Sequence, residues 1–324
     1  MLSLKEIQAP VAGHLGTFEE KFRASMKSSV PLLDTITHYI VKRKGKQMRP
    51  LFVFLAASVT GGITDSTYRA ATLIELLHTA TLVHDDVVDD SNLRRGFFSI
   101  NALWKNKISV LVGDYLLSKG LLFSLENDDY NLLRIVSNAV KEMSEGELLQ
   151  IEKARRLDIG EDIYFEIIRK KTASLIASCC ACGSASSGSS LETIEKMRLF
   201  GEFTGIAFQI KDDLFDYEAG NATGKPSAID IKDQKMTLPL IYLLNHSGPS
   251  EKRWIVNTVK NHNTDPSRVN ELINKVRTSG GILYAKEKML ENRKKAIDLL
   301  HSFPENSYRN SLEQLVIFTT ERNK

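Results

Sequence analysis

Two stretches of apolar, helix-length sequence each carry an Asp-Asp-x-x-Asp pattern, and this pairing restricts what the chain can fold into more than any other feature. The first is Leu82-Val83-His84-Asp85-Asp86-Val87-Val88-Asp89-Asp90, followed by Arg94-Arg95-Gly96; the second is Gln209-Ile210-Lys211-Asp212-Asp213-Leu214-Phe215-Asp216. In a helix, positions i and i+4 share one face, so Asp85 and Asp89 point the same way, as do Asp212 and Asp216. Ionised carboxylates packed this closely in apolar surroundings repel one another and lose hydration, a cost that a cation offsets. The first cluster also falls at the C-terminal end of its helix, where the helix dipole itself disfavours anions. Oxygen donors without His or Cys suit a hard ion, Mg²⁺ ahead of Mn²⁺ or Ca²⁺, and magnesium shares its coordination shell with water and substrate phosphates. Solvated acidic helix ends account for one such motif far more easily than for two.

Around these motifs the chain reads with a period near 3.6 and offers no alternating strand pattern bounded by turns, so an all-α fold is expected. Helices are expected over Leu4 to Met26, Pro31 to Lys44, up to Val59, from a cap at Asp65 or Ser66 into the first aspartate cluster, and over Ile108 to Leu125 and Leu132 to Leu157. Others follow over Ile163 to Cys182, from Leu191 through the second cluster, and within Arg253 to Arg322. Ser184 to Ser190 reads as a loop too short for a domain linker, and no repeat of fixed period appears. The length allows one large domain or two ordinary ones. The stretch from Thr172 to Ala181 is rich in small residues, which either bring neighbouring helices close or leave room for a long ligand; the sequence leaves both open.

A hydrophobic content of 42% is ample for a core, and a net charge of +3 from dispersed basic residues gives no argument for nucleic acid. Cys179, Cys180 and Cys182 sit too close together on a helix for a disulfide framework or a Cys-x-x-Cys metal site, and read as packing residues in a reducing compartment. No basic segment leads into an apolar core at the N-terminus, and no apolar run is expected to reach membrane-spanning length, so a cytoplasmic protein without an integral membrane segment is expected. Positive charge matters where it gathers beside the motifs, at Lys46, Arg49, Arg94, Arg95, Lys171, Lys225 and Lys235. Two acidic metal sites with this set of cations suggest two polyanions, one held through metal and the other directly by Arg and Lys. Apolar helix walls suggest that those anions carry hydrocarbon.

With both aspartate motifs, the Gly45-Lys46-x-x-Arg49-Pro50 turn, His78, the Arg94-Arg95-Gly96 run, Lys171-Thr172 and the Gln209-x-x-Asp212-Asp213 pattern in this order, the chain closely resembles the trans-type isoprenyl (polyprenyl) diphosphate synthases. The resemblance covers Lys46 to Pro239 by motif. It implies a single isoprenoid-synthase-type helical bundle around a central cavity, one domain over residues 1–324, a homodimer, and condensation of isopentenyl diphosphate with an allylic diphosphate such as farnesyl or geranyl diphosphate. By matching motif it implies Mg²⁺ on Asp85, Asp86, Asp89, Asp212, Asp213 and Asp216. The allylic diphosphate would meet Arg94, Lys171, Lys225 and Lys235, and isopentenyl diphosphate would meet Lys46, Arg49, His78 and Arg95. The carbonyl of Thr172 and the amide oxygen of Gln209 would face the forming carbocation, beside Lys171 and Lys235.

Ala228 and Gln234 stand where similar sequences often have Gly, which affects the loop carrying Lys225. A terpene cyclase is disfavoured by the intact second motif, and a non-catalytic regulatory subunit of a prenyl synthase by the intact aspartates and arginine pair. In similar enzymes the product grows down beside the helix of the first motif, so residues one turn before Asp85 meet its tail. Ala80 and Thr81 stand there, where short-chain relatives place Phe or Tyr. Since a helical turn rises about 5.4 Å, close to one isoprene unit, this predicts a product of roughly six to ten units, octaprenyl-like and of the kind that quinones carry, rather than farnesyl or geranylgeranyl diphosphate.

Overall fold

Ser3 opens the first helix with a capping box, its N–H donating to the Glu6 carboxylate at 2.7 Å and its hydroxyl accepting from the Glu6 N–H. The computed structural model describes residues 2–42, 45–94, 97–156, 159–217 and 229–322. Helix α1 (Leu4–Gln8) passes through a 3₁₀ turn, Ala9–Val11, into α2 (Ala12–Ser25), so the expected single helix is broken around Pro10. Then come α3 (Pro31–Lys42), α4 (Met48–Thr60) and α5 (Asp65–Val88). Thr64 caps α5 one residue earlier than expected, its N–H donating to the Thr67 hydroxyl at 3.0 Å.

After α5 comes a two-residue antiparallel ladder, β1 (Leu93–Arg94) and β2 (Phe97–Phe98), pairing Leu93 with Phe98 and Arg94 with Phe97. Such a short ladder has no room for the alternation by which a strand is recognised in sequence. Helix α6 (Ile100–Leu125) starts at a Ser99 cap, well before Ile108, because it kinks at Lys105. The chain continues through α7 (Tyr130–Arg156), α8 (Glu161–Ile168), a π-helical turn at Arg169–Ala173, α9 (Ser174–Ser186) and α10 (Leu191–Phe215). The expected loop start at Ser184 is thus still helix, and the loop begins three residues later, at Ser187. Helices α11 (Ile229–Lys232), α12 (Leu238–His246), α13 (Pro249–Asn261), α14 (Pro266–Thr278), α15 (Gly281–Leu300) and α16 (Ser307–Glu321) complete the chain.

Helix α9 is the centre of the bundle, packed by α4, α5, α7 and α10. Its small residues serve close approach: a Cβ placed on Gly201 of α10 would lie 2.7 Å from Ala177 Cα, so any larger residue there would push α10 away. Cys179, Cys180 and Cys182 are free and fully buried, and burial pushes the Cys179 thiol up to about 12. They act as small apolar packing groups, as expected.

Helix α6 corrects another expectation. It is long and apolar enough to cross a membrane, although no run of that kind was anticipated, because its apolar residues are interspersed with Gly and Ser and few charges. One side packs on α5. The other leaves Leu111, Leu121, Leu122 and Leu125 exposed, and 33% of its most apolar stretch is buried.

Candidate active site

The first cluster ends α5 as its sequence suggests. Asp89 caps the helix, its N–H donating to the Asp85 carbonyl at 2.8 Å, and Ser91 N–H reaches the Asp86 carbonyl at 3.0 Å. Asp85 and Asp89 are exposed, whereas Asp86 is buried.

Lower on α5 lie Glu75 and His78, one turn apart. Arg49, from the first turn of α4, grips Glu75 in a fork, Nε to Oε1 at 3.1 Å and Nη2 to Oε2 at 3.0 Å. This bidentate pair holds the α4 entrance against the aspartate helix and fixes the plane of the guanidinium. Lys46 is exposed on the approach to α4, and its carbonyl accepts from the Gln8 side chain at 3.4 Å. His78 is half-buried, and its carbonyl accepts from the Thr81 hydroxyl at 2.9 Å. The structure therefore links Arg49 to the helix that carries His78. The side chain of Arg94, and the whole of Arg95 and Lys225, lie outside the described residues.

The second cluster, near the end of α10, is set quite differently. Asp212 is ion-paired with Arg322, which follows α16 and lies over the rings of Phe208, 4.4 Å away, and Phe215, 5.4 Å away. Asp213 is buried, accepting from the Tyr164 hydroxyl at 2.7 Å and from Gln209 Nε2 at 2.9 Å. Asp216 accepts the backbone N–H of Asp230 at 2.7 Å. Asp230 brings a fourth carboxylate, and Lys235 answers it, 3.5 Å from Asp230 and 3.0 Å from Asp233. Desolvation, together with the Asp230 charge, pushes Asp213 up to about 7 and Asp216 up to about 6, and desolvation raises Asp212 as well. The cluster is short of positive charge, which is the condition a bound cation relieves.

The π turn at Arg169–Ala173 places the remaining polar groups. π turns inside α-helical segments are often functional, because the wider turn re-aims its side chains. Lys171 forms an ion pair with Glu147 of α7 and donates to Gln150 Oε1 at 3.4 Å. Gly146 makes that contact possible: a Cβ there would lie 2.9 Å from both Lys170 Cβ and the Lys171 nitrogen. The Thr172 hydroxyl donates to Gln209 Oε1 at 2.7 Å. Lys171, Thr172, Gln209, Asp213, Asp230 and Lys235 line one cavity of about 170 Å³, with Ile159, Ile167, Ile168 and Met236 as its apolar wall.

Ala80 and Thr81 stand elsewhere. Ala80 is fully buried in the cluster of Leu76, Val83, Val112 and Leu116 that joins α5 to α6, and neither residue lines that cavity. Glu75, Glu147, Gln150, Tyr164, Asp230 and Arg322 escaped the sequence reading. Glu75-x-x-His78 and Glu147-x-x-Gln150 have the one-turn spacing of a shared helix face and could have been found; Arg322 has no local signal. Among the described residues no three carboxylate, imidazole or thiol groups converge closely enough to hold a metal ion unaided. The donors are nonetheless hard oxygens in a cation-poor setting, which fits an ion whose shell a diphosphate completes.

An all-α bundle with two aspartate motifs on helices packed against a common central helix, and with cationic and apolar groups sharing one cavity, defines an enzyme class that handles anions bearing hydrocarbon. Residues 30–276 match the polyprenyl synthetase family, and the chain belongs to that family. Among characterised relatives it is 35% identical to an all-trans-nonaprenyl-diphosphate synthase (geranyl-diphosphate specific) of Rhodobacter capsulatus, covering 98% of each chain. It is 31% identical to an octaprenyl diphosphate synthase of Escherichia coli, over 100% of both chains. Among solved structures it is similar to a polyprenyl synthase of Caulobacter crescentus complexed with calcium and isoprenyl diphosphate, with a TM-score of 0.90, 31% identity, and coverage of 99% of this chain and 98% of that one. It is also similar to a geranylgeranyl pyrophosphate synthase of Bacteroides thetaiotaomicron, with a TM-score of 0.83, 37% identity, and coverage of 98% and 99%.

Proposed function

We infer that the protein is a trans-prenyltransferase that condenses isopentenyl diphosphate with an allylic diphosphate, farnesyl or geranyl, into a long-chain polyprenyl diphosphate. The observation that carries this reading is the shared cavity, where Lys171, Thr172, Gln209 and Lys235 meet beside the second aspartate motif. The whole chain acts as one catalytic domain.

Magnesium held by Asp85, Asp86, Asp89, Asp212 and Asp216 would supply the positive charge that offsets the anion of a departing pyrophosphate. Lys171 and Lys235, with Arg94 and Lys225, hold the allylic diphosphate and take up charge as its carbon–oxygen bond breaks. Lys46, Arg49, His78 and Arg95 hold isopentenyl diphosphate, with Glu75 keeping the Arg49 fork in place. The Thr172 carbonyl and the Gln209 amide oxygen turn negative dipole ends toward the allylic cation. The isopentenyl double bond attacks that cation, and the proton lost from the adduct goes to pyrophosphate. The apolar wall keeps water from capturing the cation.

Small side chains at Ala80 and Thr81 favour a long product of the kind that quinones carry, since neither position puts an aromatic ring one turn before Asp85. A relative of comparable identity carries a geranylgeranyl name, so length rests on these two residues more than on likeness. The exposed leucines of α6 support a homodimer in which that face is covered by a second copy, and a cytoplasmic location goes with that burial.

Purified protein incubated with radiolabelled isopentenyl diphosphate, an allylic primer and Mg²⁺ should yield labelled prenyl alcohols of long chain after dephosphorylation. No incorporation would point to a non-catalytic subunit, and a ladder ending at farnesyl or geranylgeranyl to the short-chain alternative. Ala80→Phe or Thr81→Phe should shorten the main product to those lengths while the first condensation survives. Unchanged length in both active variants would show that the tail takes another route.

A further inference from the structure

Tyr164 belongs to none of the motifs, yet it is buried on α8 with its hydroxyl directed at the second aspartate cluster. It begins an uninterrupted chain of hydrogen bonds. Tyr164 Oη donates to Asp213 Oδ2 at 2.7 Å, Gln209 Nε2 donates to Asp213 Oδ1 at 2.9 Å, and Thr172 Oγ1 donates to Gln209 Oε1 at 2.7 Å. All four residues border the cavity. Each oxygen of Asp213 therefore has a protein donor, whereas Asp212 and Asp216 use theirs toward Arg322 and the Asp230 backbone.

The chemistry of these groups sets a direction. A side-chain amide has a donor end and an acceptor end and can flip between them, and its neighbours decide which way it faces. A carboxylate offers acceptors, so it draws the Gln209 NH₂ to itself and leaves Oε1 on the other side, toward Thr172 and the cavity. Tyr164 holds the carboxylate in the orientation that does this. We propose that Tyr164 and Asp213 are positioning residues that aim the Gln209 oxygen at the reacting allylic carbon, and that Asp213 is not a metal ligand. The proposal rests on the synthase reading above. Without Tyr164 the carboxylate is free to swing, the amide loses its fixed sense, and a donor end facing a carbocation opposes the reaction instead of assisting it.

The test compares Tyr164→Phe, Asp213→Asn, the double variant and Asp212→Asn. Single-turnover rates with enzyme in excess report the chemical step independently of the folded fraction. For Tyr164→Phe and Asp213→Asn the rate constant should fall ~10- to 100-fold, with KM for both diphosphates within about twofold of wild type. The double variant should be no slower than the slower single variant, because both changes disable one unit. The rise in Tm on adding magnesium and inorganic pyrophosphate should survive in Tyr164→Phe and Asp213→Asn and be lost in Asp212→Asn. A full rate in Tyr164→Phe, multiplicative losses in the double variant, or loss of the magnesium–pyrophosphate shift in Asp213→Asn would each overturn the proposal. A wild type that binds magnesium and pyrophosphate but transfers no prenyl group would instead overturn the underlying reading.

Discussion

The two aspartate clusters share one pattern and differ in almost everything around it. At the end of α5, Asp85 and Asp89 face solvent at a helix C-terminus. At the end of α10, Asp212, Asp213 and Asp216 are each tied to a protein partner and share their surroundings with Asp230. One cluster lies at an exposed helix end, and the other is a structured wall whose charge is only partly answered. The contrast suggests a division of labour in which the first collects cation and diphosphate from solvent, and the second holds them against the residues that meet the reacting carbon. Sequence spacing cannot separate these roles, because the spacing is identical.

Removing one ligand from each side has the largest expected effect. Asp85→Ala and Asp212→Ala should each lower turnover by ~10²- to 10³-fold at saturating magnesium while the helical circular dichroism stays unchanged. Near-normal turnover in either would undo the metal assignment for that cluster. The substrate sites should part next. Arg49→Ala, which also strands Glu75, should raise the KM for isopentenyl diphosphate by about tenfold, whereas Lys235→Ala should act on the allylic substrate or on kcat. Equal shifts in the same KM would mean that the structure does not separate the two anions.

A pH titration of stability isolates the second cluster. Asp213 and Asp216 are pushed up to about 7 and about 6 from an ordinary 3.8. A carboxyl whose folded pKa lies above its unfolded one stabilises the fold below the unfolded value, and that contribution is lost as pH rises through the folded one. Metal-free protein should therefore lose thermal stability between about pH 4 and pH 7, and magnesium with pyrophosphate should raise Tm more at pH 8 than at pH 5. A Tm that climbs across that window in EDTA contradicts the cation deficit. The smallest effect is expected from Arg322→Ala. Its partly solvated pair with Asp212 contributes less than about 1 kcal/mol to stability, so a denaturant titration should move little. The magnesium concentration for half-maximal activity should fall, because a competitor for Asp212 has gone.

Much of this was legible in the chain itself. The 3.6 period identified a helical protein, and the acidic pairs in apolar sequence marked the site, because local periodicity and charge burial are properties of neighbours a few residues apart. Thr60-Gly61-Gly62 ended α4 as read, and the Pro31 start of α3 was visible for the same reason. The small residues from Thr172 to Ala181 were ambiguous until α10 was seen to press Gly205 against Ala173. What only tertiary structure decided are the long-range partners. Arg322 reaches Asp212 across 110 positions, Tyr164 reaches Asp213 across 49, and Lys171 is turned toward α7 by a π turn that its sequence does not announce. A sequence records which side chains one helix presents together, since 3.6 residues per turn determine that. It does not record which helices meet, and the difference between two identical aspartate motifs lies in that meeting.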